Sequence, residues 1–359
     1  MVNRSFPEDR LIQGLRMIAP GTLLRDAIDN IVKSRHGALL VFADEEKVRP
    51  MISGGIDINV ALTPMILYEL CKMDGAVLLS TDGSRILHAN VQLMPDASIS
   101  SQETGTRHRT AERVAKQIDT LAISISAARD VVTVYVGDVR HLMDPIRTIL
   151  DKADQALHTL EKFRTRWSQV STSLSLLEFQ SSATMHDVLR VLQRAEMMLV
   201  LVQLIEGSII QLGTEGRLVQ LQLEDMLVGV REDRMAILAD YLPDATPARI
   251  ESSGVAPLGP VLSDDLLSLS YVAEALGFGT DVALDTHVRP RGFRLLHKVP
   301  RLSEWVVDSV VSHFGTLDHL IASPLDELAA VPGVGFPRAR EIKDGLNRIH
   351  ESTLLERRG

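Results

Sequence analysis

The 359-residue sequence predicts a multidomain protein, α/β over residues 1–145 and all-α beyond, with a helical middle over 146–285 and a smaller helical module over 286–359. Three observations predict this. Apolar runs of strand length alternate with helical spacing through the first 145 residues. A heptad pattern takes over from Ile146. From about Thr286 the balance of charge turns, and a Gly-x-Gly step separates two helical stretches.

Each element has its own warrant. Leu24, Ala27, Ile28 and Ile31 recur at helical spacing within Leu23 to Ser34. Ala38 to Phe42 is a continuous apolar run, which reads as a buried strand. Thr63 to Met73 reads as a helix. Val77 to Ser80 and Ile86 to Val91 are strands around Thr81-Asp82-Gly83-Ser84, a hairpin signal that accounts fully for Asp82-Gly83. Val131 to Val136 is a further strand ended by Gly137-Asp138. Ile146, Ala153, Leu160, Trp167 and Leu174 then recur every seventh residue, with Ile149, Ala156, Phe163, Val170 and Leu177 at the complementary positions. That seam demands a partner helix, within the chain or across a subunit interface. Helical spacing continues to Ala239, and Pro243, Pro247, Pro257 and Pro260 mark a loop-rich joint.

Composition narrows the function. The formal net charge of −9 argues against a protein coated in nucleic acid. From Thr286 onward, however, eleven Lys/Arg face nine Asp/Glu, as a DNA-contacting module on an acidic enzyme would show. The single cysteine, Cys71, forms no intramolecular disulfide, fits a reducing cytosol and reads as a core residue. The first residues carry Arg4, Asp9 and Arg10 without an apolar run, so no signal peptide is expected. Met197 to Leu212 is interrupted by Gln203, Glu206 and Gln211 and reads as a buried helix, not a membrane span. A cytoplasmic protein without a membrane partner is the expectation.

Two segments carry chemistry. Asp74-Gly75-Ala76 joins a helix to a strand, and Gly105-Thr106-Arg107-His108-Arg109-Thr110 interrupts a polar loop before a helix. A carboxylate can hold a divalent metal or take a proton from a hydroxyl. Guanidiniums bind phosphate in bidentate fashion. Arg107 and Arg109, two apart, would point the same way from an extended loop and grip a triphosphate, with Thr106 and Thr110 donating hydrogen bonds. His108 has three open roles: donor to phosphate, metal ligand, or brace for the loop. Phosphoryl or nucleotidyl transfer suits this set better than acyl chemistry, for which no nucleophile elbow is visible.

Together these segments resemble the paired signature of the diadenylate cyclases, which join two ATP molecules into cyclic di-AMP. The order of the parts is similar to the DNA integrity scanning branch of that family over nearly the whole chain. The resemblance implies an N-terminal cyclase domain with a mixed sheet, in which Asp74 binds Mg²⁺ or Mn²⁺ and orients or deprotonates a ribose 3′-hydroxyl. It implies that Gly75 lets backbone approach the nucleotide, that Leu93 lies against adenine, and that Thr106 through Thr110 hold phosphates. Ser126 and Arg129 are further candidates for the outer phosphates. Two such sites must face each other about a two-fold axis, because each ATP supplies both a nucleophile and an electrophile. A homo-oligomer follows, a tetramer or octamer, with the octamer as the first expectation.

Leu328 to Arg340, with Gly333-Val334-Gly335 at its centre, resembles a helix-hairpin-helix element. The glycines permit a tight turn, and a helix starting near Pro337 would aim its N-terminus at backbone phosphate beside Arg338 and Arg340. Such a reader has weak sequence preference, and branched or junction DNA offers several arms to several copies. The same turn could instead pack a protein partner. An earlier copy around Lys298 to Leu302 lacks the Gly-x-Gly core. Two rival readings stand beside the DNA-responsive cyclase. One is a DNA-binding repair scaffold with an inactive nucleotide domain. The other is a nucleic-acid nucleotidyltransferase, which would need an Asp-x-Asp that is not seen near Asp74.

Overall fold

The computed structural model describes residues 7–127, 130–242 and 264–356. Pro243, Pro247, Pro257 and Pro260, read as a joint, and the site candidate Arg129 lie outside the described residues. The chain divides into two compact units. One comprises residues 1–154 and 206–220, the other 155–205 and 221–359.

The first unit holds an eight-stranded mixed sheet. Its strands are β1 (Ala38–Phe42), β2 (Ile52–Ser53), β3 (Ile56–Ala61), β4 (Ala76–Leu79), β5 (Arg85–Leu93), β6 (Leu121–Ser126), β7 (Val131–Val136) and β8 (Val139–Leu142). Their order is β2-β5-β4-β1-β6-β7-β8, with β3 also on β5. The β1–β4 pair is parallel and the other pairs are antiparallel. β1 is buried throughout because successive side chains enter different cores. Ala38, Leu40 and Phe42 pack with the helices α1 (Pro7–Met17), α2 (Leu23–Lys33) and α4 (Pro64–Leu70). Leu39 and Val41 pack with Ala111, Val114 and Ala115 of α5 (Thr106–Ile118); α3 is the short turn Glu45–Val48. Helices on both faces therefore explain the unbroken apolar run. The four α2 residues read as one face, Leu24, Ala27, Ile28 and Ile31, are all buried, and Thr22 caps the helix by accepting from the Arg25 N–H. The β4–β5 hairpin turns at Gly83, whose φ is +70°.

The seam residues lie on α6 (Ile146–Phe179), where Ile149, Ala153, Ala156, Leu160, Trp167 and Leu174 are buried. The next helix, α7 (Met185–Leu212), is apolar and long enough to cross a membrane by composition, yet Met197 through Val202 are all buried against protein. It is a core helix, and Cys71 likewise is a core residue, its thiol pushed up to about 12 by burial. Helices α8 (Arg217–Leu227) and α9 (Val230–Tyr241) follow, then α10 (Leu269–Ala275).

The last segment is welded to the helical middle within the second unit. Ala183 to His186 exchange backbone hydrogen bonds with Leu284 to Val288. Arg294 opens the short helix α11 (Phe293–His297) and is fully buried in a charged network that the sequence did not signal. Its Nε donates to Glu178 at 3.2 Å, Nη2 to Ser175 at 2.9 Å and Nη1 to Ser171 at 3.2 Å, while Asp233 lies 3.5 Å from Nη1. Asp240 accepts the N–H groups of Gly292, Phe293 and Arg294 at 2.7 to 2.9 Å. Unlike charges on a solvated module, then, Arg294 is turned inward. Lys343 is partly inward too, spending its three donors on the carbonyls of Leu320, Ile321 and Ser323.

Beyond α11 come α12 (Glu304–Phe314), α13 (Leu317–Ala322), α14 (Leu325–Ala329) and α15 (Gly335–Glu356). The last helix starts at Gly335, two residues before the expected Pro337. A proline in a first turn removes no hydrogen bond, so it does not mark the start by itself. Gly333 has φ +81°, and a Cβ there would sit 1.9 Å from the Trp305 ring.

Candidate active site

The two chemistry-bearing segments meet at a cavity of about 560 Å³ in the first unit. It opens where β1 and β4 begin and β5 ends. Asp74, Gly75, Asn90, Gln92, Leu93, Thr106, Arg107 and Thr110 are among its lining. That volume lies in the range that holds a nucleotide-sized ligand.

One local expectation is overturned. Thr106 through Thr110 are not an extended loop but the first turns of α5, whose N-cap is Gly105. Helical spacing therefore separates Arg107 from Arg109. Thr106, Arg107 and Thr110 share the face toward the cavity, while His108 and Arg109 do not line it. Arg107 lies over Gly37, where a Cβ would be 2.4 Å from Nη1, and its Nη2 is 3.7 Å from Asp74 Oδ1. Arg109 turns back on the preceding loop, its Nε donating to the Glu103 carbonyl at 3.2 Å and its Nη2 to that of Thr104 at 3.4 Å. The other end of that loop is tied to α5 as well: Arg113 Nε donates to the Ile99 carbonyl at 2.9 Å, and Gln117 accepts the Asp96 N–H at 2.8 Å. Gly105 carries no side-chain cap, which leaves the first N–H groups of α5 suited to an anion.

Gly75 lines the cavity and is also held to glycine by the neighbouring strand. A Cβ there would meet the Asn90 backbone at 2.3 Å, and the Gly75 N–H donates to Asn90 Oδ1 at 3.1 Å. Asn90 itself has φ +54°, beside the register shift between β4 and β5. The neighbouring strand alone already excludes a side chain there. Leu93 lines the cavity as a nearly buried wall. Ser126, by contrast, ends β6 opposite Val131 and is not in the lining. Sequence reading missed Asn90, Gln92, Leu39 and the Ser53-Gly54-Gly55 turn, which also line the cavity. The adjacent glycines were the visible signal.

Asp74 is fully exposed at the cavity mouth, and among the described residues no cluster of three or more His, Cys, Asp or Glu side chains could hold a metal ion. One carboxylate nevertheless fits Mg²⁺ or Mn²⁺ arriving with a triphosphate. Such an ion takes one or two carboxylates and completes its shell with phosphate oxygens and water.

Residues 25–139 match the model of the DisA bacterial checkpoint controller nucleotide-binding family, and residues 143–284 match that of the DisA checkpoint controller linker region. The chain is 43% identical to a DNA integrity scanning protein DisA of Clostridium perfringens over 99% of both chains. The corresponding protein of Acidothermus cellulolyticus is 44% identical over 98% of this chain and 96% of its own. This chain belongs to the DisA family. Its nucleotide-binding domain is that of a diadenylate cyclase, a nucleotidyltransferase acting on ATP. The DisA relation places the cavity at the nucleotide-binding domain, and the linker match places α6 to α10 in the part that follows it.

Proposed function

We propose that two copies of this chain condense two ATP molecules into cyclic di-AMP and two pyrophosphates across a facing pair of these cavities, and that DNA held by the C-terminal module modulates the rate. The observation that carries the catalytic half is the meeting of Asp74, Thr106, Arg107 and Thr110 at one cavity from segments about thirty residues apart.

Adenine lies against Leu93, and the triphosphate lies along the N-terminus of α5, held by Thr106, Thr110 and Arg107. Asp74 orients the ribose 3′-hydroxyl and accepts its proton. A divalent ion held by Asp74 would neutralise charge on the phosphates. The 3′-oxygen of one ATP bonds to the α-phosphorus of the other as the bond to the β-phosphate oxygen breaks, releasing pyrophosphate. The same exchange in the opposite sense closes the ring. Arg109, outside its own cavity, is assigned to phosphates presented by the facing protomer, with Ser126 and Arg129 at the outer phosphates. The facing arrangement makes a homo-oligomer obligatory, the octamer being the assembly we propose, in the cytoplasm.

The DNA half rests on the turn at Gly333-Val334-Gly335, where Arg338 Nη1 donates to the Gly333 carbonyl at 2.6 Å and Arg340 is exposed. We assign it as a helix-hairpin-helix that reads phosphates at branched or junction DNA. The relatives' name, DNA integrity scanning protein, supports that assignment. Incubating the purified protein with ATP and Mn²⁺, with and without junction DNA, tests both halves. Cyclic di-AMP formed by wild type and lost with Asp74→Asn supports the reading. ATP bound but never cyclised would leave a nucleotide-binding scaffold.

A further inference from the structure

His108 points away from the cavity face of α5 into a chain of polar groups. Its Nδ1 lies 3.0 Å from the Tyr135 hydroxyl on β7. That hydroxyl lies 2.8 Å from Glu103 Oε1, and Arg140 Nε on β8 donates to the same oxygen at 2.6 Å. Tyr135 is 1% exposed, and its ring meets the imidazole edge-on at 6.4 Å. Burial alone would raise the Glu103 carboxyl, but the hydrogen bonds from Tyr135 and Arg140 outweigh it and hold the group below its ordinary value. Burial and the facing Glu103 push the Tyr135 phenol well up. At neutral pH Glu103 is therefore an acceptor only, and Tyr135 keeps its single proton.

These facts fix the direction of every proton in the chain. An ionised carboxylate cannot donate, so the Tyr135 proton goes to Glu103. The oxygen of Tyr135 then offers only lone pairs to His108, and Nδ1 must carry a hydrogen. We infer that Tyr135, anchored by Glu103 and Arg140, is a positioning residue that holds His108 as the Nδ1–H tautomer, so that Nε2 is the nitrogen where the ring gains or loses a proton. The inference rests on the cyclase reading proposed above, with His108 as part of that site, and it names the nitrogen through which the ring would act. A ring anchored through Nδ1 can serve phosphate or metal only through Nε2. It also ties the loop bearing Glu103, and so the Gly105 cap, to the sheet.

The test is solid-state ¹⁵N spectroscopy of the full-length protein labelled at histidine, with His108→Gln supplying the difference spectrum that isolates this ring. The expected result is a ring protonated on Nδ1 in wild type and a tautomer mixture in Tyr135→Phe, which removes the hydroxyl and keeps the ring. Turnover should fall about 10- to 100-fold in Tyr135→Phe, with KM for ATP nearly unchanged, the scale seen when the partner that orients a metal-bound histidine is removed. Glu103→Gln should give the same pattern, which guards against a folding defect in one variant. A wild-type ring protonated on Nε2, or a Tyr135→Phe spectrum identical to wild type, overturns the inference while leaving the cyclase reading intact. Wild-type turnover in His108→Gln overturns the assignment of His108 to the site, and the positioning role with it.

Discussion

Asp74 Oδ1 lies 3.7 Å from Arg107 Nη2 across the mouth of the cavity, one residue ending the turn after α4 and the other opening α5. The carboxylate is fully exposed and the guanidinium about two-fifths exposed. An ion pair in that much water holds little free energy. A triphosphate could therefore separate the two at small cost; on the proposed reading it takes Arg107 as its counter-charge and leaves Asp74 to the ribose hydroxyl and a divalent ion.

Asp74→Asn should abolish most cyclisation and leave ATP affinity within a fewfold of wild type, because Arg107, Thr106 and Thr110 still line the cavity. Loss of a general base alone lowers rates by about 10²–10⁴. Product formation at saturating Mn²⁺ checks this, and a rate above roughly a tenth of wild type would rule out the assignment.

Arg107→Ala and Arg109→Ala should separate into different phenotypes. Arg107 lines the cavity, so its loss should weaken ATP binding and turnover together, and lysine should rescue poorly because it lacks the planar fork. Arg109 braces the carbonyls of Glu103 and Thr104, so its loss should lower turnover with a smaller change in affinity. Calorimetric titration with a non-reactive ATP analogue, beside steady-state rates, distinguishes them. Identical profiles for the two variants would contradict the helical placement.

That contrast also shows where sequence reading succeeds and stops. β1, β7 and the buried face of α2 were legible because the period and continuity of their apolar residues report burial directly. Asp74 and the Arg107 segment were legible as residue types in a motif. Their geometry was not, since Gly105-Thr106 carries no capping side chain to announce a helix, and an arginine pair reads alike in loop and helix. The requirement for Gly75 comes from Asn90, on a strand that its own neighbours cannot reveal. Arg294 counted as one more surface cation because nothing local distinguishes a buried arginine until Glu178, Asp233 and Ser171 converge on it.

The Arg294 network predicts the stability of the second unit. Glu178→Leu leaves a buried guanidinium short of its main counter-charge and should cost about 3–5 kcal/mol. A drop of several degrees in the melting temperature of that unit is the readout. Asp233 adds a pH dependence. Burial would raise its carboxyl, but Arg294 and Lys298 outweigh it and hold the group below 3.8. A depressed carboxylate stabilises fully above its unfolded value and loses that contribution as pH falls through the lower folded value. Asp233→Asn should therefore flatten the loss of stability below about pH 4. Truncation after Asp285 removes Arg294 and the N–H groups that Asp240 accepts. It should destabilise the helical middle as well as remove the hairpin, so it is a poor isolate of DNA binding.

Point substitution is the cleaner route to the DNA question, and the choice of position matters. A bulkier residue at Gly333 would strike Trp305 and force a strained φ, so a loss of binding there would report damage to the turn. Arg340 is exposed, and the Arg338 guanidinium makes its hydrogen bond to the turn's own Gly333 carbonyl. Arg340→Ala should weaken binding to every DNA sequence alike and reduce its salt dependence, as loss of a phosphate contact does. An oligomer carries several such turns. DNA with several arms can engage more than one, raising apparent affinity without any new contact, by up to about 10²–10⁴ when the geometry permits. Junction DNA should therefore inhibit cyclic di-AMP formation at concentrations at least about tenfold lower than linear duplex of equal length. Arg340→Ala should raise both concentrations and compress the gap between them, because each arm contributes one weakened contact. Inhibition curves for the two DNAs with wild type and variant decide it. Equal curves for junction and duplex at every concentration would leave an enzyme with a DNA tether and no junction sensing.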